Sequence, residues 1–143
     1  MTDKVSKYKA KKSECDGIVF DSKAEMEYYQ LLKIRKERGD IVDFKLQPSY
    51  VVQKKFETEY GDKIRPIVYK ADFEIQHHAD IWDVVDVKGM PSPVSLIKRK
   101  LFLNCRDYQH IRLMWVIKSK KHGDKDGWID YFELQKLRKN NKK

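Results

Sequence analysis

Two residues in the middle of the chain carry side chains that suit the hydrolysis of a phosphate ester. Asp86 and Lys88 stand two positions apart, directly before Gly89. In a β-strand this spacing puts the carboxylate and the ammonium group on the same face. Valines surround Asp86, as is typical of a buried strand, where an unpaired charge is costly. The alternative is an exposed ion pair on a surface strand, which would contribute less than about 1 kcal/mol.

A second carboxylate, Asp72, lies on the preceding predicted strand between Ala71 and Phe73. Adjacent strands lie about 4.8 Å apart, so pairing of the two strands would let Asp72 and Asp86 share one hard cation. Mg²⁺ suits such a pair because it binds few protein carboxylates and keeps water ligands, one of which becomes a better nucleophile. Mn²⁺ would substitute for it. Lys88 would orient the attacking water or stabilise the phosphorane, whereas the alternative for Asp72 is a solvated charge at a strand edge.

Glu25 is a third candidate, on a helix predicted to begin after Ser22. It falls on the apolar stripe formed by Tyr28, Tyr29 and Leu32, so its carboxylate would point toward the sheet and assist a metal ion or a water. The pattern Ser22-x-x-Glu25 is also a capping box, in which Glu25 reaches back to the backbone of Ser22. Both interpretations remain open at the level of the sequence.

The segments that must position these residues alternate between helical and strand periodicity. The predicted elements are a strand over 18–20, a helix from Ser22 to about Arg38, strands over 41–52 (interrupted at Gln47-Pro48), 64–75 and 81–88, a helix from Ser92 to about Asp107, a strand over 110–117 and a last helix from Asp130. This order predicts an α/β or α+β fold around a mixed central sheet.

The chain has 143 residues, which fits one compact domain. We expect that domain over 15–138, with a flexible basic arm over 1–14 and a basic tail over 139–143. Apolar stretches as long as a membrane span are missing from the sequence, which predicts no membrane partner. The two cysteines are too few for a disulfide framework and favour a reducing compartment. We therefore expect a cytoplasmic protein.

The charge balance indicates a polyanionic partner. Lysine and arginine number 31 against 22 acidic residues, for a net charge of +9, and such an excess attracts nucleic acid. The sequence lacks a phosphate-binding P-loop, which argues against an NTPase, and its histidines and cysteines lack zinc-ligand spacing. The predicted nucleic-acid contacts are Lys9, Lys11, Lys12, Gln47, Lys98 and Lys100.

The order of these motifs resembles the PD-(D/E)XK nuclease superfamily over about residues 18–117. The resemblance is carried by Glu25 on a helix, Asp72 on a strand, Asp86-x-Lys88 on the next strand and a basic helix after it. In detail the chain is similar to small phage and prophage endonucleases, some of which resemble archaeal-type Holliday junction resolvases. The resemblance implies a restriction-endonuclease-like core in the order α-β-β-β-α-β. It also implies that Glu25, Asp72, Asp86 and Lys88 are catalytic, with the three carboxylates as metal ligands.

These observations predict a Mg²⁺-dependent endonuclease that hydrolyses DNA phosphodiesters, in the host cytoplasm if a phage encodes it. A chain of this size has little surface for reading a long base sequence, so we expect selectivity for branched DNA. A homodimer would match the two cleavable strands of a four-way junction. One alternative is a non-catalytic nucleic-acid-binding module that uses the acidic residues structurally. Another is a phage protein that inhibits a host factor and is basic only incidentally.

Overall fold

The structure, a computed structural model, describes residues 12–141, which divide into two compact units between Ile41 and Val42. The predicted contacts Lys9 and Lys11, most of the predicted arm, and residues 142–143 of the predicted tail lie outside the described residues. In the part of the chain that the structure describes, no helix is both long and apolar enough to cross a membrane.

The first unit contains a β-hairpin and a helix. Strands β1 (Ser13–Cys15) and β2 (Ile18–Phe20) pair antiparallel, so residues 13 and 14, which the sequence assigned to the arm, lie in a strand. Helix α1 (Lys23–Glu37) follows. The Glu25 N–H donates to Ser22 Oγ at 3.0 Å, and the buried residues of the helix are the predicted ones, 28, 29 and 32. The predicted helix and its apolar face are confirmed.

The second unit is built on a five-stranded mixed sheet. Its strands in spatial order are β11 (Trp128–Asp130), β10 (Ile111–Lys118), β9 (Trp82–Val87), β8 (Phe73–Gln76) and β3 (Asp43–Leu46). Strand β8 runs antiparallel to both β3 and β9, whereas β10 runs parallel to β9 and antiparallel to β11. A parallel pair needs a crossover connection, which helix α2 (Pro93–Asn104) supplies. The predicted mixed central sheet is confirmed.

Four short strands lie between β3 and β8 and form two separate pairs. Strand β4 (Ser49–Gln53) pairs with β7 (Ile67–Lys70), and β5 (Phe56–Glu57) pairs with β6 (Lys63–Ile64). The continuous strand predicted over 64–75 is therefore wrong. From Ile67 to Ile75 its period-two alternation contains no glycine or proline, so the sequence gives no sign that the chain changes partner after Lys70.

The break in that predicted strand falls at Ala71 and Asp72. The Ala71 N–H donates to Pro48 O at 3.0 Å, whereas the Asp72 N–H donates to Val85 O at 3.2 Å. The backbone thus leaves the β4–β7 pair and joins the main sheet within one residue. Asp72 stands at this junction, where its side chain is not confined to a regular strand face.

Two further helices complete the second unit. Ser92 caps α2 by accepting the Ser95 N–H at 3.1 Å, as predicted, but the helix ends at Asn104 and a 3₁₀ turn follows over 106–108. Helix α3 (Tyr131–Asn141) begins where Asp130 Oδ1 accepts two backbone N–H groups. Residues 139–141 of the predicted tail therefore belong to a helix.

One hydrophobic cluster of the second unit lies on the sheet face that carries Val84. Its buried members are Tyr50, Tyr69, Ala71, Val84 and Phe102. Phe102 of α2 meets the Tyr50 ring edge-on at 5.2 Å between centroids. Because side chains alternate along a strand, the residue two beyond Val84 faces the same way, and that residue is Asp86.

Candidate active site

Asp86 and Lys88 lie together at the carboxyl end of β9. Asp86 is only 3% exposed, and Lys88 Nζ lies 3.9 Å from its Oδ2. The Lys88 N–H donates to Val116 O at 2.8 Å, which continues the pairing of β9 with β10 past the last strand residue. An exposed ion pair on a surface strand is excluded, because the carboxylate is almost completely removed from solvent.

Two hydrogen bonds between side chains and backbone hold Asp72 next to Asp86 and Val87. The Asp72 N–H donates to Asp86 Oδ1 at 3.1 Å, and the Val87 N–H donates to Asp72 Oδ2 at 2.8 Å. The register of β8 with β9 pairs Phe73 with Val85, so one step further places Asp72 opposite Asp86. The predicted pairing of the two strands is confirmed, and both carboxylates lie at the same end of it.

Two residues that the sequence analysis did not assign to the site fix the carboxylate of Asp86. The Tyr69 hydroxyl donates to Asp86 Oδ2, and Trp115 Nε1 donates to the Tyr69 oxygen at 3.0 Å. Trp115 lies directly across from Asp86 in the parallel register of β9 and β10. The sequence does not link Trp115 to Asp86, because nothing in a single chain shows which strand residues will lie opposite each other.

The electrostatic environment of Asp86 makes its charged form expensive. Burial raises the pKa of the Asp86 carboxyl to about 6, against a smaller opposing effect of the Lys88 charge and of the Asp72 N–H group. Desolvation penalises an anion unless a cation or hydrogen bonds compensate it. A cation placed beside Asp86 would therefore favour the charged carboxylate strongly.

A second buried carboxylate on the same strand provides an internal comparison. Asp83 is 2% exposed but receives a two-point contact from Arg112, at 2.9 and 2.8 Å, and lies 2.8 Å from His77 Nε2. Its position three residues before Asp86 puts it on the opposite face of the sheet. Within residues 12–141, the ion pair of Asp86 is the one with Lys88, and it is longer than the contacts that Asp83 makes. Asp83 is thus compensated by close partners of the protein itself, whereas Asp86 is compensated much less.

An aromatic surface next to Asp86 gathers positive charge. Lys88 Nζ lies 4.5 Å from the Trp115 ring centroid, and the Arg99 guanidinium lies 5.7 Å from the same centroid. Arg99 also lies 4.1 Å from the Phe132 ring centroid. Cations stacked on aromatic faces are held in place while their hydrogen-bond donors stay available. Arg99 was missed by the sequence analysis, although its basic cluster on α2 was noted.

The predicted nucleic-acid contacts within the described residues occupy different places. Lys98 is half-buried and Lys100 is exposed on α2, on either side of Arg99, and Lys12 is exposed in the first unit. Gln47 is exposed, has a positive φ of 50°, and donates its N–H to Asp72 O at 2.8 Å. A non-glycine residue in this region is uncommon. The structure thus brings the backbone of Gln47 to Asp72.

Glu25 lies in the first unit and Asp72, Asp86 and Lys88 lie in the second. Its backbone makes one half of the predicted capping box with Ser22. The catalytic role of Glu25 stays a prediction. In the part of the chain covered by residues 12–141, no group of three or more His, Cys, Asp or Glu side chains is arranged to hold a metal ion. The two carboxylates that the structure brings together here are those of Asp72 and Asp86.

Comparison with known proteins identifies a family for the chain. Residues 5–124 match the family model described as "Protein of unknown function (DUF1064)". No curated protein and no solved structure matches the chain. The protein that carries this pair of carboxylates therefore belongs to the DUF1064 family.

Proposed function

We propose that the protein is a metal-dependent endonuclease that hydrolyses phosphodiesters in DNA. The observation that carries the proposal is the placement of two carboxylates beside Lys88 at the ends of two adjacent strands: Asp86 accepts the Asp72 N–H, and Asp72 accepts the Val87 N–H. Two carboxylates can hold a divalent cation, and an ammonium group next to them can contact the phosphate that the cation polarises.

The order and direction of the elements support a restriction-endonuclease-like core. Helix α1 is followed by β3, β8 and β9, which run antiparallel to one another, then by α2 and by β10, which runs parallel to β9. With the small paired strands β4–β7 set aside, this order is α-β-β-β-α-β. Asp72 directly precedes the second of these strands, Asp86 lies on the third, and Lys88 directly follows it.

The donor set at the site fits Mg²⁺ or Mn²⁺. Both ligands are carboxylate oxygens, which hard cations prefer, and Mg²⁺ commonly takes one or two protein carboxylates and completes its shell with water. The incompletely compensated burial of Asp86 is the feature that a bound cation would relieve, whereas Asp83 on the same strand already has a close cationic partner in Arg112. When bound, the ion would supply Lewis acidity and a more acidic water.

The protein groups around the carboxylates have separable roles. Asp72 and Asp86 would hold the cation, and the Tyr69 hydroxyl would keep Asp86 oriented and favour its anion by donating to it. Lys88 would contact the scissile phosphate or the attacking water. Arg99, stacked beside it over Trp115, would add positive charge where the phosphate becomes more negative.

The main competing function is nucleic-acid binding without catalysis. A buried carboxylate with a raised pKa destabilises the folded chain at neutral pH, and a purely structural position would be served better by a neutral side chain. This cost favours a catalytic role for Asp86 over a structural one.

The first prediction is that the purified protein cuts DNA only when Mg²⁺ or Mn²⁺ is present. We expect nicking or linearisation of a supercoiled plasmid, and faster cutting of a four-way junction than of a linear duplex with the same arm sequence. Light scattering should give the mass of a homodimer. Asp72→Asn, purified in the same way, controls for contaminating nucleases because it removes one ligand charge.

Equal cleavage by the Asp72→Asn preparation, or cleavage that persists in EDTA, would contradict the nuclease proposal. A monomer that cuts junction and duplex at the same rate would remove the preference for branched DNA and leave a general nuclease. DNA binding without cleavage under every metal condition would favour the non-catalytic module.

Glu25→Gln separates the two interpretations of the helix glutamate. Gln can still complete a capping box but carries no charge for a metal ion or a water. If Glu25 is catalytic, as the resemblance implies, the variant should unfold at the same temperature as the parent and cut at least about 10²-fold more slowly. Unchanged cleavage would show that Glu25 acts only in the helix cap. Thermal unfolding and the cleavage rate, measured on one preparation, give the answer.

A further inference from the structure

A polar pocket lies between the loop that follows β10 and the second half of α3. Its volume is about 610 Å³, within the range of ligand pockets. The loop contributes Ser119, Lys121 and His122, and the helix contributes Gln135, Arg138 and Lys139. All six side chains offer hydrogen-bond donors, and three of them are permanent cations. This chemistry fits an anion that carries several oxygen acceptors.

The loop side of the pocket is fixed by its own backbone. The Ser119 N–H donates to Gly127 O at 2.9 Å, the Gly123 N–H donates to Ser119 O at 3.0 Å, and the His122 N–H donates to Ser119 Oγ at 3.1 Å. A Cβ at Gly123 would lie 2.4 Å from Ser119 O, so this close approach requires glycine. A loop tied in this way presents its donors without a large entropic cost on binding.

The helix side presents its donors on one face. Gln135, Arg138 and Lys139 are spaced by three and four residues and are therefore neighbours on the surface of α3. Basic residues in the last turn of a helix also interact favourably with its dipole, which is the alternative explanation for Arg138 and Lys139. That explanation does not account for Lys121, which approaches the same pocket from a different element.

Asp124, an acidic residue of this loop, shapes the loop. Its Oδ1 accepts the backbone N–H groups of Asp126 and Trp128 at 2.8 and 3.1 Å. The charged side chains that line the pocket are Lys121, Arg138 and Lys139. Charges of one sign repel each other, and an anion placed between them would relieve that repulsion.

The pocket lies at the same end of the sheet as Asp86. Strands β9 and β10 run parallel with Val87 opposite Val116, and the loop begins at Ser119, three residues past Val116. The carboxyl ends of neighbouring parallel strands meet at one edge of a sheet, which is where α/β folds commonly bind ligands. Asp86 and the loop that lines the pocket therefore follow the same edge of the sheet.

We propose that this pocket binds a backbone phosphate of the same DNA strand whose phosphodiester lies at Asp86. The inference rests on the proposed function and adds to it a second, non-catalytic phosphate site that positions the strand. Lys121 and Arg138 are positioning residues here, since they would hold a phosphate other than the one that reacts.

The test is the double variant Lys121→Ala/Arg138→Ala, assayed for binding to a labelled duplex by fluorescence anisotropy in EDTA. We expect roughly a 10-fold weaker affinity at moderate salt and a slope of log K against log salt that is shallower by about 2, since each phosphate contact contributes about 0.9 to that slope. Lys54→Ala/Lys55→Ala removes the same charge from exposed positions elsewhere and should change both quantities less. Equal effects of the two double variants would overturn the inference.

Further measurements separate this inference from the proposed function. If the nuclease is active, the variant should raise KM and leave kcat unchanged, whereas a fall in kcat with an unchanged KM would contradict a positioning role. If no cleavage is found but the affinity difference holds, the proposed nuclease fails and the phosphate site stands. The phosphate site would be overturned if poly-glutamate competed with DNA for the parent protein as well as unlabelled duplex does. It would also be overturned by binding to phosphatidylserine vesicles that depends on the same two residues while DNA binding does not.

Discussion

Asp86→Asn is expected to abolish metal-dependent cleavage, with a loss on the order of 10³-fold, while DNA affinity stays close to that of the parent. The substitution keeps the shape of the side chain but removes one of two ligand charges. The amide oxygen can still accept the hydrogen bond from Tyr69 that the carboxylate accepts. Loss of rate with retained DNA binding is the result that assigns Asp86 to the reaction rather than to the interface.

The same variant should be more stable than the parent in EDTA at about pH 8. Burial raises the pKa of Asp86 from 3.8 in an unperturbed chain to about 6, so the folded protein binds a proton more tightly than the unfolded chain. The stability that this proton contributes is present below about pH 4 and is lost as the pH rises through about 6. A difference of about 2 pKa units corresponds to about 3 kcal/mol. The uncharged Asn side chain has no such cost. The free energies of unfolding of the two proteins should therefore be similar at low pH and differ as the pH rises.

Asp83→Asn is the matched control, because it neutralises the other buried carboxylate of β9. That change leaves Arg112 and His77 without their charged partner, so it should lower the unfolding temperature and leave the response to Mg²⁺ intact. Added Mg²⁺ should raise the unfolding temperature of the parent and of Asp83→Asn, but not that of Asp86→Asn. An Asp86→Asn protein that is less stable than the parent at about pH 8, or that still responds to Mg²⁺, would contradict the metal assignment.

Local sequence rules were sufficient for much of the framework around the site. Ser22 and Ser92 predict the starts of α1 and α2, because a hydroxyl there can accept a hydrogen bond from an N–H group that has no helical partner. Both caps are present. The period-two pattern around Asp86 predicted its strand and its shared face with Lys88. The pairing of Asp72 with Asp86 followed from the expectation that consecutive strands are neighbours.

The remaining features depend on contacts between distant parts of the chain. Tyr69 and Trp115 are separated by 46 residues and meet at Asp86 only after β10 has been placed beside β9. The partner change at Asp72 depends on the carbonyl groups of Pro48 and Val85. Neither contact produces a periodic pattern in the sequence. The sequence alone therefore predicts the carboxylates but not the side chains that orient them.

Lys88→Ala should abolish cleavage as Asp86→Asn does, but should keep the response to Mg²⁺. Lys88 Nζ lies 3.9 Å from Asp86 Oδ2 and is held over the Trp115 ring, so it carries charge next to the ligand without being one. Loss of a positioned acid or phosphate contact typically lowers a rate by about 10²- to 10⁴-fold. The Lys88 charge also lowers the pKa of Asp86, so its removal raises that pKa further and shifts Mg²⁺ binding to higher pH.

The informative measurement is therefore made at about pH 8.5, well above the pKa of about 6 that Asp86 has in the parent. At that pH, Mg²⁺ should raise the unfolding temperature of Lys88→Ala by about as much as that of the parent, while cleavage stays lost. Lys70→Ala, which removes an exposed lysine from β7, should cut normally and controls for a general effect of charge on DNA binding. A Lys88→Ala protein that cuts at the parental rate would reduce Lys88 to a structural partner of Asp86 and Trp115. One that loses both cleavage and the Mg²⁺ response would place Lys88 in the metal site itself, because only a group that shapes the cation's binding would remove both together.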